Sequence, residues 1–304
     1  MTLSQASPRT PPARVLDMVR SDAASCGVSV PLAWSMAALP LVGGFLIAAT
    51  YFHWPLFIWI LREDHPVEWA QFALCLITSL MAAMISWRFS KHGQWLLATV
   101  FILVALGALV LGGEEISWAQ RALAYSTPEE MRAKNDQEEF NVHNLTEGGF
   151  DVAELFKLFE MVMGLGGMIL PFLTRLDPPR VRRPLAISLS SPLFLVPCFA
   201  FAFFYRLLRF VLDILGMEND AMVAFTEWAE MDLYLGLAGL MIFTYAATRE
   251  PIGGRHSHTD PTGELPQGLP FYPSVVTVVT SVTLLTLVLA VMTMASGVLP
   301  GNVG

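Results

Sequence analysis

The sequence predicts an all-α protein, a polytopic membrane helix bundle of about seven transmembrane helices with a short helical outer loop. Three observations predict it. Only 14% of the residues are charged, against about 25% in a soluble domain. Hydrophobic residues make up 54% of the 304 and the mean hydropathy is +0.54, so lipid must solvate much of the surface. Seven apolar runs, near 33–60, 67–88, 94–115, 153–174, 188–212, 223–247 and 274–298, each reach the roughly 20 residues that a bilayer crossing needs.

Residues 1–31 come first. Arg9, Arg14 and Arg20 sit there among Pro8, Pro11 and Pro12, which reads as a short disordered cytoplasmic tail. The transmembrane bundle then occupies residues 32–300. Pro40 and Pro55 are expected to kink or end the first run, and Pro192 and Pro197 to do so near the start of the fifth. Gly164, Gly166 and Gly167 in the fourth allow close helix contact. The seventh has no ionisable residue and reads as a lipid-facing anchor.

Two connections are long. In the outer loop 121–152, Thr127-Pro128-Glu129-Glu130 has a cap residue, a first-turn proline and a glutamate three residues on, predicting a helix from Pro128 to about Phe140. Just before it, Ile116 to Tyr125 is amphipathic, with Trp118 and Tyr125 suited to a membrane interface. The cytoplasmic loop 248–273 is rich in Gly and Pro, and its His256 and His258 read as solvated. The cysteines Cys26, Cys75 and Cys198 form neither a disulfide framework nor a zinc motif.

Basic residues set the orientation. Arg9, Arg14, Arg20, Arg88, Lys91, Arg175, Arg180, Arg182, Arg183, Arg249 and Arg255 fall on one side of the expected spans; Arg62, Arg121, Arg132 and Lys134 fall in the loops of the other. The first side is therefore expected in the cytoplasm of a bacterial inner membrane, with the C-terminus in the periplasm. Of the 26 acidic residues only Asp17, Asp22, Asp177, Glu250, Asp260 and Glu264 belong to that side, so a polar site is expected at the outer face. A net charge of −8 argues against nucleic acid as a partner; membrane lipid is the expected one, and a protein partner is left unspecified.

The strongest local signal is Gly112-Gly113-Glu114-Glu115, two carboxylates directly after an apolar run. Adjacent helical residues point about 100° apart, so at least one of them must face protein and needs a cation, a hydrogen-bond network or a proton. Glu114, Glu115 and His143 are the candidate catalytic residues and the candidate ligands of a divalent cation whose identity the spacing does not choose. Arg121, Arg206 and Arg209 could hold a phosphate or carboxylate, and Gln120, Asn141 and Asn144 could orient it. Glu68, Glu227 and Glu230 complete the candidate polar lining. A pattern Trp-Ala-[Gln/Glu]-x-x-Leu recurs at Trp69, Trp118 and Trp228, either by duplication or because Trp suits the interface and Ala suits tight packing.

At Gly113-Glu114-Glu115-Ile116-Ser117-Trp118-Ala119-Gln120-Arg121 and Asn141-Val142-His143-Asn144 the chain resembles a group of bacterial multi-pass membrane proteins with GEEISWGQR-like and NxHN-like motifs, in which glycine stands at the position of Ala119. The resemblance implies a shared membrane fold and no stated activity. Intramembrane glutamate proteases that process prenylated proteins carry an EExxxR motif; here Arg121 comes six residues after Glu115 and no span carries their later histidines, so their activity is not carried over.

Three readings remain open from the sequence: a hydrolase or transferase acting on a lipid or lipid-linked substrate, an ion-coupled transporter using Glu68, Glu227 and Glu230 as relays, and a non-catalytic scaffold binding a partner through its outer loop.

Overall fold

In the computed structural model the described residues are 11–62, 65–135, 140–142, 146–147, 150–176, 188–248 and 273–296. Among them the chain is helical apart from a two-residue antiparallel pairing of β1 (Thr146–Glu147) with β2 (Phe150–Asp151). Six stretches are long and apolar enough to cross a bilayer: Val30–Phe52, Trp54–Lys91, Trp95–Glu115, Glu154–Arg175, Leu193–Ile214 and Ser274–Met294. The expected run at 223–247 is the helix Asp220–Ala247, which at 28 residues is long enough but carries Glu227, Glu230 and Asp232.

The expected disordered tail is ordered from Pro11: α1 (Pro11–Ser25) is a helix whose Val19 and Ala23 are buried. Asp22 fastens it, accepting from Arg175 Nη2 at 2.5 Å and from the Leu193 backbone N–H at 2.7 Å. Residues 1–10 lie outside the described residues, as do Arg180, Arg182, Arg183, Arg249, Arg255, His256 and His258.

The first expected span divides. α2 (Val30–Ala49) continues through Pro40 and ends in a 3-10 turn at Thr50–Phe52, and α3 (Trp54–Leu61) is a separate short helix. His53 makes the break. Its backbone leaves the helical region (φ −123°, ψ 76°) and its Nδ1 caps α3 by accepting from the Leu56 N–H. Pro55 then stands in the first turn of α3, where its missing N–H costs nothing, so it starts a helix rather than kinking one.

α4 (Pro66–Lys91) and α5 (Trp95–Glu115) form an antiparallel pair. Gly93, at φ +71°, adopts the left-handed conformation of the turn between them. Ser79 donates to the Ala105 carbonyl at 2.8 Å and Ser86 to that of Ala98 at 2.7 Å, hydrogen bonds that lipid cannot replace. α8 (Val152–Leu176) packs on α9 (Val196–Ile214). Gly164 and Gly167 make that approach possible, since a Cβ on either would meet Phe203 or Phe199; Gly166 faces open space. Pro197 sits in the first turn of α9 and, like Pro55, starts it.

α10 (Asp220–Ala247) packs against α2, α3, α4, α8 and α9. The Trp228 indole lies against Gly43 and Gly44 and donates to the Pro40 carbonyl at 3.1 Å. A Cβ at Gly43 would come within 2.4 Å of that ring. At the other end of α10, Arg88 of α4 lies 3.5 Å over the Tyr245 ring and donates to the Tyr245 carbonyl at 2.8 Å and the Thr248 hydroxyl at 3.2 Å. α11 (Pro273–Ser296) packs on α4 and leaves most of its side chains facing outward, as an anchor does.

The expected helix from Pro128 to Phe140 is a single turn, α7 (Glu129–Arg132). Thr127, the expected cap, instead receives Gln120 Nε2 at 2.7 Å.

Candidate functional site

Two polar networks meet at the end of α5, and Glu114 and Glu115 divide them. Three consecutive residues after α5, Ser117, Trp118 and Ala119, have left-handed φ values of 44°, 54° and 62°. Such conformations cost non-glycine residues of order 1–3 kcal/mol each and persist where surroundings enforce them. Here the surroundings are Glu114. Its Oε1 accepts from Trp118 Nε1 at 2.7 Å and its Oε2 from the Val142 backbone N–H at 2.5 Å. The turn also needs a bare α5, because a Cβ on Gly113 would lie 2.9 Å from the Trp118 ring.

The remaining amides stitch the same loop. Gln120 of α6 (Gln120–Leu123) accepts from the Phe140 N–H at 2.7 Å, and Asn141 donates to Ser117 Oγ at 3.2 Å. Asn135 donates to Asn141 Oδ1 at 2.7 Å. The Tyr125 hydroxyl donates to the Ser117 and Trp118 carbonyls, and burial raises its pKa. Arg121 is buried in α6. His143 and Asn144 lie outside the described residues.

Glu115 turns the other way, into the bundle. Its Oε1 accepts from the Tyr234 hydroxyl at 2.9 Å. One carboxylate oxygen each of Glu115, Glu227 and Glu230 lie within 4.8 Å of one another, and all three residues are half-buried. Gln71 of α4 donates through Nε2 to the Glu227 carbonyl at 2.8 Å and to Glu227 Oε2 at 3.2 Å. Arg206 of α9 donates through Nε to Glu160 of α8 at 2.5 Å and through Nη2 to Glu230. Five helices thus each contribute a polar side chain to one cluster.

Of the residues expected from sequence, Glu115, Glu227, Glu230 and Arg206 come together. Glu114, Gln120 and Asn141 serve the loop instead. Arg209 lies in a neighbouring knot, donating to Glu218 Oε1 at 2.7 Å through Nε and to the Thr226 hydroxyl at 2.5 Å. Glu68 stays in the first turn of α4, and it is Gln71, three residues on, that reaches the cluster.

Gln71 and Glu160 had no assigned site role from sequence, whereas Tyr234 shares the i, i+3, i+7 face of Glu227 and Glu230. Glu160 could have been found by extending the charged face of Glu154 and Lys157 by one more step of three residues.

A cavity of about 150 Å³ between α8 and α9 is lined by Lys157, Arg206, Arg209, Asp213 and Glu218. Leu158 and Phe210 also line it, and both are more than half exposed on the outer surface of the bundle. Arg206 therefore belongs both to this cleft and to the carboxylate cluster behind it. Deeper on α10, Asp232 is fully buried and neither of its oxygens has a hydrogen-bond partner among the described residues.

No protein-family model, curated protein or solved structure matches this chain.

Proposed function

We propose that the chain is a membrane-embedded hydrolase or transferase that acts on the polar head of a lipid or lipid-linked substrate. The observation that carries this reading is the cleft between α8 and α9. It joins a surface made of Leu158 and Phe210, which lipid would cover, to Arg206 and hence to the carboxylate cluster. A substrate held by its tail in the bilayer would enter this cleft sideways and meet Arg206, and movement of that side chain would open the way to the carboxylates it is paired with. Lys157, Arg209 and Arg206 line the way, each paired with a carboxylate (Glu154, Glu218, and Glu160 with Glu230), so a phosphate or carboxylate would bind there by exchanging with one of those partners. Glu115 and Glu227 each keep one carboxylate oxygen without a hydrogen-bond partner among the described residues, and either can take a proton from water or from a substrate hydroxyl.

In this reading the N-terminus is cytoplasmic, the C-terminus periplasmic, and the site faces the outer leaflet of a bacterial inner membrane. Lipid profiling of a deletion strain complemented with wild type, Glu227→Gln or Glu115→Gln tests it. Accumulation of one lipid class in the deletion strain, cleared by wild type and by neither variant at equal membrane levels, supports the enzyme. Unchanged lipids in the deletion strain refute it.

Asp232 favours a second reading, an ion-coupled transporter. A fully buried carboxyl with no hydrogen-bond partner among the described residues, on the same helix as Glu227 and Glu230, is the kind of group that carries a proton along a pathway. Uptake or efflux in proteoliposomes that collapses with Asp232→Asn and leaves lipids untouched selects it over the enzyme.

A further inference from the structure

We infer that Glu115, Glu227, Glu230 and Gln71 form a binding site for one hard divalent cation. Three independent features converge on it.

Donor geometry is the first. The three carboxylates each offer an oxygen within 4.8 Å of the others. Each also has one oxygen already engaged: Glu115 by Tyr234, Glu227 by Gln71, Glu230 by Arg206. The second oxygen of each has no hydrogen-bond partner among the described residues. The engaged oxygens fix the orientation of the carboxylates, as outer hydrogen bonds do around metal ligands.

Gln71 is the second. It is fully buried, and its Nε2 is held by the Glu227 carbonyl and carboxylate, which sets the direction of the amide. Its Oε1 is a buried acceptor with no hydrogen-bond partner among the described residues. Leaving such an acceptor unmet costs about 1–3 kcal/mol. A cation meets it; a carboxylate neighbour cannot.

Charge is the third. Ionised, Glu115, Glu160, Glu227 and Glu230 carry four negative charges, and among the described residues Arg206 is the one guanidinium bonded to them. Three uncompensated charges inside a bilayer are relieved either by protons or by a cation, and the cation is the alternative that also meets Gln71. A divalent ion leaves one.

Four oxygen donors and no nitrogen or sulfur select Mg²⁺, Mn²⁺ or Ca²⁺ over zinc or copper. The set differs from the one the sequence suggested: Glu115 is common to both, while Glu114 is committed to the loop. The inference concerns the cation and does not rest on the enzyme or the transporter reading; an oxygen of Glu115 or Glu227 that holds the ion is not a proton acceptor at the same time.

The test is Mn²⁺ binding to the purified full-length protein in detergent at pH 7.5, read as loss of the free-ion electron paramagnetic resonance signal. One saturable Mn²⁺ per chain is expected, displaced by Mg²⁺ or Ca²⁺. Glu115→Gln and Glu227→Gln should weaken it at least about tenfold, and Gln71→Leu several-fold. Glu129→Gln, at an exposed surface pair, should leave it unchanged. Should the carboxylate variants fail to fold, the wild-type melting temperature decides, since a native-state ligand must raise it. Absence of saturable binding, a melting temperature unmoved by millimolar Mn²⁺, or equal binding by folded Glu115→Gln overturns the site. Mn²⁺ binding in a protein whose deletion leaves lipids unchanged keeps the site and refutes only the enzyme.

Discussion

Glu114 and Glu115 are neighbours in the chain and serve different structures: the Glu114 carboxylate clamps Trp118 and the Val142 N–H, while Glu115 meets Tyr234 inside the bundle. The final turn of α5 therefore connects the loop to the carboxylate cluster. A change in the loop's backbone is felt at Glu115 one residue away.

Glu114→Gln should loosen the loop. Both Glu114 oxygens accept from N–H groups, so an amide must turn an NH₂ towards one of them. The expected cost is about 1–3 kcal/mol. Hydrogen exchange at the Val142 amide should accelerate correspondingly. Unchanged exchange there would show that the clamp is not what holds residues 140–142.

Ala119→Gly should stabilise the protein. Ala119 sits at φ 62°, where a Cβ is unfavourable and glycine is not. A left-handed L-residue costs roughly 1–2 kcal/mol, and the freer unfolded glycine chain returns part of it, leaving a gain of roughly 0.5–1 kcal/mol. Thermal unfolding in detergent reads this as a higher melting temperature. The control is Ala122→Gly, inside α6, which should lower it.

Arg206→Met should be strongly destabilising, by about 3–5 kcal/mol, because it strands Glu160 and Glu230 without their shared cation. Adding Glu160→Gln should recover part of the loss. Folded yield on size exclusion and the melting temperature measure both. A single variant as stable as wild type would mean that the ion triad contributes nothing.

Cys26 provides a test of orientation. Cys75 and Cys198 are buried, which leaves Cys26 as the accessible thiol. Burial, with a smaller contribution from Asp22, pushes its pKa up to about 11. The protonated form is thus favoured in the fold; any stability this lends is complete below pH 9 and is lost as the pH rises towards 11. Labelling by a membrane-impermeant maleimide should be slow at pH 7 and rise about tenfold per pH unit towards pH 10. It should occur in inverted vesicles and not in intact spheroplasts. The opposite pattern would place the N-terminus outside.

Much of the bundle was legible in the sequence because lipid imposes a length and an apolarity on each crossing helix. The spans near 94–115 and 274–298 match α5 and α11 closely for that reason. The break at His53 was half legible: Pro55 marked its place, but the cap that the His53 side chain makes was not readable from spacing. Docking of α1 was hidden as well, since it rests on Asp22 meeting Arg175 from the far end of α8.

The candidate site was half legible. Glu115, Glu227 and Glu230 could be noticed because charge is costly in a bilayer. Their convergence with Gln71 and Glu160 needs the packing of five helices, which spacing within any one helix does not contain. The recurring Trp-Ala-[Gln/Glu] pattern held more than was read from it. Its third residue is Gln71 in α4 and Glu230 in α10, both in the cluster, whereas in the loop copy it is Gln120, which serves the backbone.

The Arg88 contact at Tyr245 has a mechanical consequence. It rivets α4 to α10 at the end remote from Glu227, through a ring face, a carbonyl and the Thr248 hydroxyl together. The same two helices are fastened again near their opposite ends, where Gln71 donates to the Glu227 carbonyl and carboxylate. A pair held at two separated points keeps its register, so the placement of Gln71 against Glu227 is set by the Arg88 fastening as well as by their own hydrogen bonds.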